Sequence, residues 1–298
     1  MAPHTAPMSH ILTLIADRTQ TTLSQAVIDR VREAIDGGPP RILSPGEAAD
    51  IPCRTIPLAA ALDAALEGAP IDTISTRPRN RRKALLVADM DSTIITSETL
   101  DALAAHAGIG AQIAAITRQS MNGEIDFADA LRQRVAMLKN LPLDALEKTW
   151  AKTELTPGAR ELVATMRANR ATTALVSGGF TWFTQRVAET LGFDTHRANE
   201  LLHNNTTLTG EIGEPILDRD AKRTILIELA KTRGIQLNAT LAVGDGANDL
   251  AMLHEAGLGI AYHAKPIVAA ETRAQVRFGT LRAVLFAQGY RLEEIVGA

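Results

Sequence analysis

Residues 84–93 read ALLVADMDST, an apolar run of five residues that ends in two carboxylates. A short continuous apolar run is typical of a strand that is buried on both faces, as in a parallel sheet. Asp89 and Asp91 follow this strand directly, at the end where open α/β sheets place their ligand sites. We therefore predict a parallel α/β sheet with a functional site at this edge.

The same pattern recurs at residues 172–176 and 241–243, where apolar runs again end in polar residues or glycine. Helical spacing of apolar residues predicts helices at about 97–107, 111–121, 126–139, 143–150 and 158–169. The alternation of strands and helices predicts a Rossmann-like α/β core. The first four helices would form an inserted helical cap at about 96–156, and residues 199–216 would form a hairpin flap.

The first 80 residues predict a separate small α+β unit of strand-helix-strand-strand-helix-strand order. A length of 298 residues accommodates two domains, which we place at 1–80 and 81–298. The boundary segment 77–83 carries five basic residues in seven and predicts a solvated linker. The N-terminal unit shows no catalytic constellation, so a structural or dimerising module, with a homodimer formed through it, is the simpler interpretation.

Composition excludes several classes of protein. The formal net charge is −3, which disfavours a general nucleic-acid binder. The single cysteine, Cys53, excludes an intramolecular disulfide, and none of the seven histidines shows zinc spacing. No uncharged apolar stretch reaches the roughly 18 residues of a spanning helix. These features predict a cytoplasmic protein that binds neither membrane nor nucleic acid.

Asp89 and Asp91 carry the strongest chemical signal. Two carboxylates separated by one residue at a strand end repel each other unless a cation or a shared proton is present. Mg²⁺ is the natural cation, because it prefers carboxylate, water and phosphate oxygens. The alternative is that this segment caps the following helix.

Gly244-Asp245-Gly246-Ala247-Asn248-Asp249 follows the third strand. Asp245 can supply a second metal carboxylate from across the sheet, and the glycines allow close approach of the backbone to a ligand. Asn248 and Asp249 can instead cap the next helix. Two acidic strand ends in one sheet favour a metal site more strongly than either segment does alone.

Two weaker signals complete the set. Ser177-Gly178-Gly179 follows the second strand and offers a hydroxyl and free N–H groups to an anion. Lys222 begins an amphipathic helix. Ser-Gly-Gly is common in turns and a single lysine is usually solvated, so neither segment indicates a site in isolation.

Together the four segments, over residues 84–262, resemble the haloacid dehalogenase superfamily of phosphatases. Within it they are similar to the family that acts on phosphoserine. The motifs of that family are matched in this chain by Glu98, Arg132-Gln133-Arg134-Val135 and Ser177-Gly178-Gly179-Phe180. Met90 stands where that family usually has Phe. The first 80 residues look like the amino-acid-binding (ACT-like) extensions of some members, in pattern only.

The resemblance implies a Mg²⁺-dependent phosphoryl transfer in two steps. Asp89 would be the nucleophile and form an aspartyl-phosphate. Asp91 would protonate the leaving serine oxygen and then deprotonate the hydrolytic water. Mg²⁺ would be bound by Asp89, by the main-chain carbonyl of Asp91 and by Asp245. The reaction implied is hydrolysis of O-phospho-L-serine to L-serine and phosphate, the last step of serine biosynthesis.

The resemblance also assigns the residues around the substrate. The phosphoryl group would be held by Ser177, Gly178, Gly179, Lys222 and Asn248, with Thr93 and Asp249 in support. In the cap, Glu98 would take the ammonium and Arg134 the carboxylate of phosphoserine, while Met121 and Phe127 shield the site. Alternatively, Arg134 is a solvated helix residue and Phe127 is ordinary core.

Three functions remain open at this stage. The first is a phosphatase for phosphoserine, and the second is a related small-phosphomonoester phosphatase or a phosphotransferase to an alcohol such as homoserine. The third is a phosphorylatable aspartate in a signalling switch. Asp91 argues against the switch, because it supplies the acid and base that hydrolysis needs.

Overall fold

The computed structural model describes residues 8–121 and 124–297. Its N-terminal elements are β1 (His10–Ala16), α1 (Gln25–Ala34), β2 (Arg41–Ser44), β3 (Ala48–Cys53), α2 (Ala59–Leu66) and β4 (Ile71–Thr76). The strands form an antiparallel sheet in the order β2-β3-β1-β4. This is the strand-helix-strand-strand-helix-strand unit that the sequence predicts.

The second sheet contains β5 (Leu85–Ala88), β6 (Thr172–Phe180), β7 (Thr195–Asn199), β10 (Thr240–Gly244), β11 (Leu258–Tyr262) and β12 (Ala274–Val276). These strands are parallel and lie in the order β12-β11-β10-β5-β6-β7. Outside the cap, the accompanying helices are α7 (Ala159–Ala168), α8 (Thr181–Leu191), α9 (Arg219–Arg233), α10 (Leu250–Glu255), α11 (Pro266–Glu271) and α12 (Arg282–Ala287). The predicted Rossmann-like core with an additional N-terminal α+β unit is confirmed.

Strand β5 is buried on both faces, as its continuous apolar run predicts. Leu86 and Ala88 belong to an apolar cluster with residues of α7 and α12, whereas Leu85 and Val87 belong to one with residues of α9 and α10. All four side chains are fully buried. Burying a leucine side chain stabilises a fold by about 1.5–3 kcal/mol, so this strand anchors both helical layers.

Strand register brings the predicted motifs together. Ala88 pairs with Val243 of β10 on one side and with Leu175 of β6 on the other. The residues that follow these paired positions therefore lie next to one another at the carboxyl edge of the sheet, although β6 itself continues past the predicted end at residue 176 to Phe180. Asp89, Ser177 and Asp245 all lie within two residues of these paired positions.

The cap is inserted between β5 and α7. Its helices are α3 (Thr99–His106), α4 (Gly110–Met121), α5 (Phe127–Ala136) and α6 (Asp144–Trp150). The two connections between the cap and the sheet lie antiparallel, with Ile95 opposite Leu155. In addition, the N–H of Thr96 donates to the carbonyl of Glu154 at 3.0 Å. Entry to and exit from the cap are thus held side by side.

The predicted hairpin is present as β8 (Leu201–His203) and β9 (Leu208–Ile212), which pair antiparallel. Strand β9 packs against α5 of the cap. A bridge between Pro142 and Thr207 joins the turn of the hairpin to the cap as well. The hairpin therefore extends the cap rather than the central sheet.

Helix α9 has 15 residues and is the longest helix in the described ranges. The carboxylate of Asp218 accepts hydrogen bonds from the N–H groups of Asp220 and Ala221, which fixes the start of the helix. Lys222 therefore occupies the first turn, at the end that faces the sheet edge. Within residues 8–121 and 124–297, no helix combines the length and apolar character needed to cross a membrane.

The boundary segment is not wholly a solvated linker. Residues 77–80 are exposed, as predicted, but the side chain of Arg81 is only 9% exposed and pairs with Asp50 of β3. Its Nη1 and Nη2 lie 2.5 and 2.7 Å from the two Asp50 oxygens, and Nη2 lies 2.7 Å from the hydroxyl of Thr13. The prediction is wrong for Arg81 because its acceptors come from strands remote in sequence.

Candidate active site

Three buried carboxylates gather at the carboxyl edge of the sheet. Asp89 follows β5, Asp245 follows β10, and Asp249 precedes α10. They are 4%, 5% and 0% exposed, and one oxygen from each lies within 4.8 Å of the others. Carboxylates this close repel one another, so the cluster requires cations. All its donors are oxygens, which suits a hard divalent ion such as Mg²⁺.

Lys222 supplies one cation from within the protein. Its side chain is buried, and Nζ lies 2.6 Å from Oδ1 of Asp89 and 2.7 Å from Oδ1 of Asp249. Burial alone would lower the pKa of Lys222, but the adjacent carboxylates outweigh burial and hold the pKa above its usual value. The lysine is therefore charged, and it connects Asp89 at the end of β5 to Asp249 in the loop after β10.

Lys222 contacts two of the three carboxylates and does not offset the charge of the whole cluster. Burial, together with Asp249 and Asp245, raises the pKa of Asp89 well above its usual value in spite of Lys222. Burial and Asp249 raise the pKa of Asp245 to about 7. These directions mean that ionised Asp89 and Asp245 are disfavoured without a further positive charge. The residues present thus fit a divalent cation.

Asp91 lies in a different environment from Asp89. Its Oδ1 accepts a hydrogen bond of 2.8 Å from the N–H of Thr99, and its Oδ2 accepts one of 3.2 Å from the hydroxyl of Ser177. Burial and the nearby charge of Glu98 raise the pKa of Asp91 to about 6. A carboxyl group with such a pKa can both donate and accept a proton near neutral pH.

The tight turn at residues 90–94 separates the two carboxyl groups. Asp89 is extended, Ser92 adopts a left-handed backbone with φ +55°, and the N–H of Ile95 returns to the carbonyl of Met90 at 3.0 Å. The hydroxyl of the buried Thr93 lies 3.5 Å from Oδ1 of Asp245. The turn thus directs Asp89 towards the carboxylate cluster and Asp91 towards β6.

The Ser177-Gly178-Gly179 segment forms the other side of the site. The Ser177 hydroxyl accepts from the N–H of Gly179 at 2.8 Å while it donates to Asp91. A Cβ on Gly179 would lie 2.7 Å from Oδ2 of Asp91, so only glycine leaves this carboxyl in place. Asn199 donates to the carbonyl of Gly178 at 2.9 Å, which fixes the segment from outside.

The glycine-rich loop after β10 is shaped around Asp249. A Cβ on Gly244 would collide with the Asp249 carboxylate, whose Oδ2 accepts from the N–H of Gly246 at 3.0 Å. Asn248 is half-buried, and its amide nitrogen lies 3.9 Å from the point that a Cβ on Gly178 would occupy. The loop therefore brings the amide of Asn248 close to Gly178.

Two of the predicted cap residues lie close to the segments that carry the carboxylates and the glycines of the site. Glu98 is exposed and accepts from the hydroxyl of Ser92 at 2.8 Å. The ring of Phe127 is half-buried and lies 3.6 Å from the position of a Cβ on Gly178. The side chain of Met121 lies outside the described part of the chain, so its predicted role stays a prediction.

Arg134 is half-buried in the cap rather than solvated. It donates to the carbonyl of Ala130 at 3.2 Å and to the hydroxyl of Thr117 at 3.4 Å. Burial lowers the pKa of Arg134, whereas Asp101 and Glu98 act in the opposite direction. Arg134 and Glu98 thus lie within electrostatic range of each other.

Three residues near the site were not predicted from the sequence. Thr99 is 1% exposed, and its hydroxyl has no hydrogen-bond partner among the described atoms, although its N–H holds Asp91. Asp101 belongs to the same helix, and burial and Glu98 raise its pKa. Lys265 places Nζ 3.8 Å from Oδ2 of Asp245. No local motif marks these positions, although Thr99 adjoins Glu98.

Sequence comparison matches residues 86–254 to the family described as haloacid dehalogenase-like hydrolase. A phosphoserine phosphatase of Archaeoglobus fulgidus is 46% identical over 189 residues, which are 63% of this chain and 55% of that protein. One of Streptococcus thermophilus is 43% identical over 194 residues, 65% of this chain and 90% of that protein. Several such relatives are longer, and the match with this chain spans 53–63% of four of them.

Solved structures show the same architecture. A HAD family hydrolase of Salmonella enterica serovar Typhi matches with a TM-score of 0.84 and 28% identity, over 94% of this chain and 98% of that chain. A phospho-aspartyl intermediate analogue of a phosphoserine phosphatase matches with a TM-score of 0.64 and 38% identity, over 69% of this chain and 98% of that chain. The first match extends over nearly the whole length of this chain.

Proposed function

Because the chain belongs to the haloacid dehalogenase-like hydrolase family, we propose that it hydrolyses O-phospho-L-serine to L-serine and phosphate through an aspartyl-phosphate. The observation that carries this proposal is the separation of two acids: Asp89 lies against Lys222, and Asp91 lies apart on Ser177. Such a pair supplies a nucleophile and a general acid in one turn of chain. The names of the relatives support phosphoserine as the substrate and the last step of serine biosynthesis as the role.

In the first step, a carboxylate oxygen of Asp89 bonds to phosphorus as the ester bond between phosphorus and the serine oxygen breaks. The electron pair of that bond goes to the serine oxygen, which takes the proton of Asp91. An alkoxide is a poor leaving group, so this proton lowers the barrier. A pKa of about 6 keeps part of Asp91 protonated near neutral pH.

In the second step, Asp91 is ionised and takes a proton from water. The water oxygen bonds to phosphorus, and the bond between phosphorus and Asp89 breaks, which returns the electron pair to the Asp89 carboxylate. Lys222 offsets this carboxylate in both steps, since its Nζ lies 2.6 Å from Oδ1. Phosphate leaves, and Asp91 keeps the proton that it took from the water, which restores the acid for the next cycle.

Mg²⁺ is the proposed cofactor, held by Asp89, Asp245 and the main-chain carbonyl of Asp91. When bound, it neutralises charge on the phosphoryl oxygens. Support comes from the buried carboxylate cluster, in which Asp89 and Asp245 resist ionisation without more positive charge. Thr93 and Asp249 are proposed to support the site through their contacts with Asp245 and Lys222.

The phosphoryl oxygens carry nearly two negative charges and are proposed to bind at the edge formed by β6 and β10. The binding groups there are Ser177, Gly178, Gly179, Lys222 and Asn248. Hydrogen-bond donors at a buried edge stabilise charge more strongly than water does. The close approach of Asn248 to Gly178 supports a common binding position for them.

Substrate selectivity is proposed to come from the cap. Glu98 would bind the ammonium group of phosphoserine, and Arg134 would bind its carboxylate as a bidentate fork. The apolar side chains of Phe127 and Met121 would shield the site from water. Support comes from the half-buried Arg134, whose guanidinium lies within electrostatic range of Glu98 and Asp101.

The N-terminal unit of residues 1–80 is proposed to mediate a homodimer of a cytoplasmic enzyme. Its surface exposes Ile42, Ile56 and Leu58, which are 43%, 52% and 77% exposed. Burial of these side chains against a second copy would remove apolar surface from water. The remaining residues, 81–298, would form the phosphatase domain with its cap at 96–156. An amino-acid-binding role for the N-terminal unit stays a prediction.

A comparison of substrates tests the proposed function. The full chain with Mg²⁺ is given L-phosphoserine, phosphothreonine, glycerol phosphate and a sugar phosphate, and kcat/KM is measured for each. We expect a clear preference for L-phosphoserine. Similar values for all four would show a general phosphomonoesterase, and transfer of phosphate to added homoserine would show a phosphotransferase.

A further inference from the structure

The N-terminal unit holds a backbone segment of the phosphatase domain through one carboxylate. Asp72 of β4 is 0% exposed. Its Oδ1 accepts from the N–H of Arg277 at 2.7 Å, and its Oδ2 accepts from the N–H of Gly279 at 2.7 Å. The N–H of Phe278 lies 3.2 Å from Oδ2. Three successive N–H groups, directly after β12, thus converge on a single side chain.

The fit between Asp72 and this segment is close. A Cβ on Gly279 would lie 3.1 Å from Oδ2 of Asp72. Gln20, also in the N-terminal unit, donates to the carbonyl of Phe278 at 3.1 Å. A buried carboxylate is costly unless its oxygens are hydrogen-bonded, so these contacts fix the segment and Asp72 with respect to each other.

The other side of the same segment is held by His263. Its Nε2 lies 2.8 Å from the carbonyl oxygen of Gly279, and its N–H donates to the carbonyl of Val276 at 2.8 Å. The backbone of His263 is left-handed, with φ +42°. A residue other than glycine is uncommon in this region, so the two hydrogen bonds determine where the chain after β11 runs.

That chain leads directly to the carboxylate cluster. Lys265 follows His263 by two residues, and its N–H donates to the carbonyl of Asp245 at 3.1 Å. Its Nζ lies 3.8 Å from Oδ2 of the same aspartate. Asp245 is therefore held on its main chain and its side chain by a residue whose own position depends on His263.

We propose that Asp72 is a positioning residue for the metal site: through residues 277–279 and His263 it sets the place of Lys265 and thus of Asp245. This inference rests on the proposed Mg²⁺ site. It gives the N-terminal unit a role in the chemistry without any contact between that unit and the substrate. Groups that orient a metal ligand contribute to metal affinity although they do not touch the ion.

The test is a titration of the full-length protein with Mg²⁺ by calorimetry, with no substrate present. Asp72→Asn replaces one acceptor oxygen by an NH₂ group that opposes the N–H groups of residues 277–279. His263→Asn removes the bond to Gly279, and asparagine tolerates a left-handed backbone. We expect each variant to weaken Mg²⁺ binding by about threefold to tenfold, less than the loss for a direct neighbour of a metal ligand.

Glu47→Gln is the matched control. Glu47 also joins the N-terminal unit to the phosphatase domain, with its oxygens 2.8 and 2.9 Å from the guanidinium of Arg282. Among the described residues, however, no hydrogen bond connects Arg282 to residues 263–265. The control should bind Mg²⁺ within about twofold of the wild-type protein, because distant sites act independently.

The outcomes separate the two proposals. If the wild-type protein does not bind Mg²⁺, the proposed metal site fails. If it binds and Asp72→Asn binds equally well, or if Glu47→Gln weakens binding as much, the positioning role is overturned. Should Asp72→Asn fail to fold, His263→Asn decides, because His263 is exposed; unchanged Mg²⁺ affinity in that variant overturns the inference. The variant that combines Asp72→Asn and His263→Asn should bind Mg²⁺ no more weakly than Asp72→Asn alone.

Discussion

The ammonium group of Lys222 lies 2.6 Å from the carboxylate of Asp89, and the two side chains are only 1% and 6% exposed. The same ammonium lies 2.7 Å from Asp249. A buried ion pair of this kind contributes little net stability on its own, but it fixes charge and geometry. Here it holds the proposed nucleophile in one orientation at the end of its strand.

The first prediction concerns removal of this charge. Lys222→Met leaves Asp89 and Asp249 buried without their shared cation, so we expect the Mg²⁺-free protein to lose about 3–5 kcal/mol of unfolding free energy. We expect kcat/KM to fall by about 10²–10³-fold. Urea unfolding and phosphate release measure both effects. Lys231→Met is the control, because Lys231 is exposed in the last turn of the same helix, and it should leave the unfolding free energy and kcat/KM near their wild-type values. Small changes of both quantities in Lys222→Met would contradict the proposed role of the Lys222 charge.

The second prediction concerns Asp91 and pH. The pKa of Asp91 rises from 3.8 to about 6 on folding, so folding favours its protonated form. The stability that this preference contributes is complete below pH 3.8 and is lost as the pH rises through about 6. An asparagine does not titrate, so the Asp91→Asn variant cannot lose this stability. Its melting temperature should therefore exceed that of the wild-type protein by a margin that grows from pH 4 to 7.

The same variant should be catalytically impaired. Because asparagine can neither donate nor accept the proton, we expect Asp91→Asn to lower kcat by about 10²–10⁴-fold. Phosphate release at pH 7 measures this loss. Unchanged turnover would remove Asp91 as acid and base, and it would reopen the interpretation as a phospho-aspartate switch.

The third prediction concerns selectivity. Arg134→Ala should raise KM for L-phosphoserine by about tenfold to a hundredfold, since a charged hydrogen bond is lost. KM for p-nitrophenyl phosphate, which has no carboxylate, should change little. Arg132→Ala is the matched control, because Arg132 lies on the same helix but is 47% exposed and pairs with Asp129 and Glu214. Equal changes for both substrates would make Arg134 a structural residue.

The fourth prediction concerns the hydroxyl of Thr99. A buried hydroxyl that lacks a partner costs about 1–3 kcal/mol, so Thr99→Val should stabilise the free protein. The Thr99 N–H still holds Asp91, at 2.8 Å, because it belongs to the main chain. We expect kcat to fall about tenfold, because the valine offers no hydrogen bond to substrate or water beside Asp91. A variant with higher melting temperature and full activity would show that the hydroxyl has no role.

The sequence predicts those parts of the molecule in which local pattern determines structure. The apolar runs mark strands β5, β6 and β10, and the polar residues that end them meet at one edge because parallel strands in register end together. The cap helices and the hairpin follow from periodicity. Asp89, Asp91 and Asp245 could be named in advance because each stands in a motif at a strand end, whereas Lys222 could be named only through the resemblance of the four segments to a known family.

Other features depend on contacts between distant segments and leave no local trace. Arg81 lies in a basic run typical of a linker, and its burial requires Asp50 and Thr13 from another sheet. In the sequence, Asp72 looks like an ordinary acidic residue of an amphipathic strand. Its role depends on residues 277–279, which only the folded chain places against it. Thr99 is marked only by its place beside Asp91, which the fold of the turn creates.

The central claim is that Asp89 carries the phosphoryl group, and trapping that intermediate tests it most directly. The full-length protein is mixed with L-phosphoserine and Mg²⁺, quenched in acid within one turnover, reduced with borohydride and analysed by peptide mass spectrometry. Borohydride converts an aspartyl-phosphate to homoserine, so we predict homoserine at position 89 and unmodified aspartate at position 91. Reduction at another residue, or turnover without any reducible intermediate, would contradict the account.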